Sequence, residues 1–82
     1  MNVVVIEDER LTADRLIAQI KRYDASIRVL AQLSSVAESL KWFTTTPPPA
    51  VDLVFMDIHL EDGDCFQLIS ELPLTTPILF TT

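Results

Sequence analysis

At 82 residues the chain holds one small domain. Its 12 acidic residues against 6 lysines and arginines leave a net charge of −6, which repels a phosphate backbone and argues against nucleic-acid binding by this segment alone. One cysteine, Cys65, excludes an internal disulfide and a multi-cysteine zinc site, and no apolar run approaches the roughly 20 residues that cross a bilayer. The hydrophobic fraction, 49%, is dominated by aliphatic residues and points to a buried sheet rather than disorder. With no basic stretch ahead of its first apolar run, the N-terminus does not read as a secretory leader. A cytoplasmic protein with no membrane insertion is expected.

Val3 to Ile6 is a continuous β-branched run, as in a strand buried on both faces. From Leu11 the period changes: Ala13, Leu16, Ile17 and Ile20 form one apolar stripe on a helix that ends near Tyr23. Ile27 to Leu33 reads as a second strand. Ser35 followed by Glu38 matches a capping box and opens a second helix that turns Val36, Leu40 and Phe43 inward. The run Thr44 to Pro49 stops it, because consecutive prolines supply no N–H donors. Val51 to Met56, interrupted only by Asp52, reads as a central parallel strand, and Asp57 to Gly63 as a loop. Asp64 is the expected cap of a third helix carrying Phe66, Ile69 and Leu72 on one side. Pro73 and Pro77 bound the next turn, and Ile78 to Thr82 is a fourth strand. The order β-α-β-α-β-α-β implies a parallel sheet covered on both faces.

In such a sheet ligands bind beyond the carboxyl ends of the strands. Those ends carry Glu7, Asp8 and Glu9 after the first strand, Asp57 after the third, and Thr81 and Thr82 on the fourth. Converging carboxylates repel one another unless a cation neutralises them, and hard oxygen ligands suit Mg²⁺. A metal, a carboxylate and a hydroxyl donor together describe a phosphoryl-transfer site. Glu7-Asp8-Glu9 reads equally well as an acidic first helical turn favoured by the helix dipole. Asp57 is harder to dismiss in this way, since a buried strand does not ordinarily end in a charge.

Three stretches carry a family resemblance: Val4-Val5-Ile6-Glu7-Asp8-Glu9, the run Leu53 to Gly63 with Asp57 at its centre, and Pro77-Ile78-Leu79-Phe80-Thr81-Thr82. Together they resemble the receiver domains of response regulators, in the variant that precedes a LytTR-type DNA-binding domain. The resemblance covers the whole chain, in order. It implies an α/β, flavodoxin-like (CheY-like) doubly wound parallel sheet, incomplete after its fourth strand. It further implies that Asp57 accepts a phosphoryl group from a sensor histidine kinase. Glu7, Asp8 and Asp57 would hold Mg²⁺, helped by the backbone carbonyl of His59. Thr82 would be the switch hydroxyl, with Thr81 the second choice.

The departures carry expectations of their own. The family's fifth strand with its lysine, its last helices and the DNA-binding output domain have no counterpart in residues 1–82. Lys21, Arg22, Arg28 and Lys41 are wrongly placed to stand in for that lysine, so slower phosphorylation and an uncoupled switch are expected. Contact with DNA would run only through the missing output domain. An uncovered fourth strand invites self-association. A phosphatase using Asp57 as nucleophile is the competing enzyme reading, but it wants an acid two residues on, where His59 stands. Cys65, Trp42 and Phe43 read as packing residues, and a single glycine, Gly63, excludes Gly-rich phosphate loops.

Overall fold

The β-branched run near the N-terminus forms β1 (Asn2–Ile6), and its residues Val3 to Ile6 are completely buried. A computed structural model of the chain describes residues 1–44, 50–71 and 76–81, the side chain of Asp64 excepted. After β1 come α1 (Arg10–Tyr23), β2 (Arg28–Leu33), α2 (Val36–Phe43), β3 (Leu53–Met56), the short β4 (His59–Leu60) and β5 (Gly63–Asp64), α3 (Cys65–Glu71) and β6 (Ile78–Phe80). The main sheet is parallel throughout, in the order β2-β1-β3-β6. Starting in the middle and moving outward in both directions requires helices on both faces, because parallel crossovers share one hand.

Alternation along β1 divides the core. Val4 and Ile6 join Leu33, Val36, Val54, Met56, Leu60, Cys65 and Leu68 on the face covered by α2 and α3. Val5 joins Ala13 and Ile20 on the face covered by α1, with Leu16, Ile17, Ile27, Val29 and Phe55 packed around them. That second face keeps an apolar groove of about 380 Å³ between α1 and the strand starts, bordered by Met1, Tyr23, Ile27 and Phe55. Among the described residues no helix is long and apolar enough to cross a membrane.

Local polar groups set the ends of the elements. The Ser35 hydroxyl accepts from the Glu38 N–H at 3.0 Å, the N-cap half of the expected capping box. The Glu38 carboxylate takes the Ser34 hydroxyl at 2.8 Å. Asp24 accepts from the backbone and hydroxyl of Ser26, turning the chain out of α1. Asp52, the one break in the third apolar run, accepts from the Asn2 N–H at 2.7 Å and returns its own N–H to Asn2. It thereby closes the N-terminal end of the β1–β3 pair.

Several expectations are corrected. The third strand begins at Leu53 rather than Val51, and the second at Arg28. Residues 57–63 do not remain a plain loop: His59 pairs with Asp64 and Leu60 with Gly63 in a small antiparallel hairpin. Asp64 therefore belongs to β5, and its side chain, the expected cap, lies outside what the structure describes, as do Leu72, Pro73 and residues 45–49 of the expected stop. In α3 the buried positions are Cys65 and Leu68, while Phe66 is 65% exposed. The hairpin delivers the chain to Cys65, whose N–H donates to Ile58 at 3.0 Å; Ile69 packs against the core as expected, and Cys65 and Leu68 rather than Phe66 share that face with it. The helix has only seven residues, too few for periodicity to fix a face.

Leu68 is fully buried between α3 and the sheet, whereas Leu11 at the start of α1 is 74% exposed. Leu68→Ala is expected to cost about 2–5 kcal/mol in urea unfolding, and Leu11→Ala less than about 0.5 kcal/mol. Equal losses at the two positions would contradict this packing.

Candidate functional site

The parallel register pairs Ile6 with Met56, so Glu7 and Asp57 leave neighbouring strands at the same edge. Backbone bonds hold both ends in place. The Asp57 N–H donates to Ile6 at 3.0 Å, and the Glu7 N–H donates to Leu33 on the far side at 2.9 Å. Beyond Glu7 the chain bends back, and the Glu9 N–H donates to Glu7 Oε1 at 3.1 Å. Glu9 occupies the N-cap position of α1 without a side-chain capping bond to the helix amides, and its carboxylate accepts from the Thr12 hydroxyl at 3.4 Å.

Glu7, Asp8 and Asp57 each bring a carboxylate oxygen to within 4.8 Å of the other two. Glu7 is 4% exposed and Asp57 7%, and Asp8 is the more accessible member. Three acids in such a space are electrostatically opposed. Burial, and then the hydrogen bond and charge of Asp57 and the proximity of Asp8, push Glu7 from 4.5 up to about 7, against the lowering influence of the Glu9 N–H. Two carboxyl groups can share a hydrogen bond only around a proton, and a bound cation would take over its neutralising role. All three donors are hard oxygens, so the residues present fit Mg²⁺ by the chemistry of the donor set.

His59 enters through its backbone. Its N–H donates to Asp57 Oδ1 at 3.2 Å, while its side chain is exposed. Thr81 is partly buried just past β6, and its N–H donates to Met56 at 3.0 Å, which sets it beside the strand that ends in Asp57. Thr82 lies outside the described residues. Lys21 and Arg22 occupy the last turn of α1 and Lys41 that of α2. Arg10, passed over by the motif reading, borders a cavity of about 280 Å³ together with Glu7, Asp8, Gln32 and Ser34. Its place four residues beyond the end of β1, at the first position of α1, was the available signal.

No protein-family model matches the chain. It is 32% identical over 72 residues to the sensory transduction protein LytT of Enterococcus faecalis, an alignment that takes in 88% of this chain and 28% of that protein. The chain thus spans less than a third of the length of this curated relative. Among solved structures, the MaeR response regulator bound to beryllium trifluoride superposes with a TM-score of 0.84 at 18% identity, over 100% of this chain and 66% of that one. The non-phosphorylated HemR receiver domain from Leptospira biflexa gives 0.74 at 24% identity, over 96% and 61%.

The position of Glu7 makes stability depend on pH. Its folded value near 7 lies above the ordinary 4.5, so the stability that goes with a protonated Glu7 is fully present below 4.5 and lost as pH rises through 7. The melting temperature in chelator is expected to fall between about pH 4.5 and 7, and Glu7→Gln to flatten the fall. A melting temperature that climbs through that window would contradict the assignment.

The order of the parallel strands and the acids gathered at their carboxyl edge thus sit on a fold shared with the receiver domains of response regulators, in a chain similar in sequence to LytT.

Proposed function

We propose that Asp57 accepts a phosphoryl group from the phosphohistidine of a sensor histidine kinase in the cytoplasm, and that the modification switches an output domain regulating transcription. One observation carries this reading: a buried aspartate at the mouth of a central strand, within 4.8 Å of two further acids. A carboxylate oxygen of Asp57 attacks phosphorus, the P–N bond breaks, and its electron pair stays with the departing imidazole. The product is a mixed carboxylic–phosphoric anhydride. Glu7, Asp8 and Asp57 would hold Mg²⁺, with the carbonyl of His59 as a further ligand, and the metal would supply positive charge against the phosphoryl oxygens. The His59 N–H steadies one carboxylate oxygen of Asp57. The hydroxyl of Thr82, or that of Thr81, is the proposed switch donor to the phosphoryl group.

DNA is reached, in this reading, only through the output domain of a longer regulator. Self-association is the further proposed interaction. Among the described strands β6 pairs only with β3, and its Leu79 and Phe80 are 52% and 44% exposed. An edge of this kind templates pairing with a second copy.

Incubation with acetyl phosphate and Mg²⁺ is expected to add one phosphoryl group, read by intact mass, and Asp57→Asn to abolish the gain. Beryllium trifluoride, which MaeR binds, is expected to form its adduct at the same residue. Steady release of phosphate from small phosphoesters, without a retained phosphoryl group, would favour the phosphatase instead. In solution the average mass is expected to rise with protein concentration, and a strict monomer at all concentrations would remove self-association from the reading.

A further inference from the structure

Asp62 lies five residues beyond Asp57, yet it binds a part of the chain more than 20 residues earlier. Its carboxylate accepts from the Val36 N–H at 2.7 Å and from the Ala37 N–H at 3.0 Å, the first two amides of α2. Ser35 takes only the third amide, that of Glu38. A helix start leaves such donors without intrahelical partners, and a carboxylate answers them with charge-assisted bonds. These two N–H groups, Ala37 first, hold the Asp62 carboxyl below the ordinary carboxylate range.

The consequence falls on the hairpin that carries Asp62. β4 and β5 have two residues each, and a hairpin that short does not hold itself. Its outer end is clasped to α2 by Asp62. Gly63 lies against the same helix, where an added Cβ would meet Val36 Cγ2 at 3.3 Å. Leu60 is buried in the core beneath. The inner end presents the His59 N–H to Asp57 Oδ1 at 3.2 Å. One small unit therefore has its far end fastened to α2 and its near end aimed at the central carboxylate.

We propose that Asp62 is a positioning residue for the acidic site, fixing the His59 backbone against Asp57 by clasping the hairpin to the start of α2. Its metal readout rests on the phosphoacceptor reading above. A residue that only capped α2 would act as Ser35 does, whose hydroxyl accepts from the Glu38 N–H within the same helix.

The test compares the wild-type chain with Asp57→Asn, Asp62→Ala, Asp62→Asn and Ser35→Ala. Mg²⁺ affinity is measured by calorimetry, and hydrogen exchange of the His59 amide is measured without metal. Asp62→Ala is expected to weaken Mg²⁺ about tenfold, the scale of losing an outer partner of a metal site, and to speed His59 exchange. Asp62→Asn, which keeps one acceptor oxygen, is expected to fall between and replaces the alanine variant if that one does not fold. Ser35→Ala is expected to leave both readings at wild-type values. Wild-type affinity and exchange in the Asp62 variants, or the same losses in Ser35→Ala, would overturn the proposal. A wild-type chain with no Mg²⁺ affinity would count against the phosphoacceptor reading, and His59 exchange alone would then decide the role of Asp62.

Discussion

The parallel pairing of β1 with β3 is the constraint on which the rest depends. Both strands are covered on both faces, so neither tolerates the polar alternation of a half-exposed strand, and charge can enter only at their ends. Asp52 and Asn2 close one end by exchanging backbone and side-chain bonds. At the other end the ladder stops at Ile6 and Met56, and the next residue on each strand is an acid. The site is thus the place where two apolar strands run out together.

This arrangement works against the fold that creates it. A domain of this size has a thin stability margin, and it nevertheless places Glu7 and Asp57 almost out of water. Burial is the main source of the conflict that pushes Glu7 up, with Asp57 and Asp8 adding to it. A divalent cation would relieve the same conflict, which would give metal affinity and metal-free instability a common origin. Local strain of this kind is the expected signature of a site shaped for a charged partner.

Around this pair the connecting segments act as supports. The turn after β1 folds Glu9 back onto Glu7, and the hairpin after β3 lays His59 against Asp57. The first is a bend of adjacent residues. The second depends on α2, a helix more than 20 residues earlier in the chain, through the carboxylate of Asp62. The α2 face of the sheet therefore contributes to the acidic crevice as well as to the core.

The sequence by itself determined the order of the main-sheet strands and the helices, the parallel sheet and which acids stand at its carboxyl edge, because each is written in a local pattern. Continuous β-branched runs mark doubly buried strands, the stripe from Ala13 to Ile20 marks a helix, and an aspartate closing an apolar run stands out against its surroundings. Ser35 was legible as a cap for the same reason, since its partner Glu38 lies three residues away. Only the tertiary structure decided the phase of α3, the hairpin at His59 to Asp64, the bordering of the crevice by Arg10 and the attachment of Asp62 to Val36 and Ala37. In these cases the partners are remote in the chain or the element is too short to carry a period. Their geometry is set by how the sheet and helices pack, which no local spacing encodes.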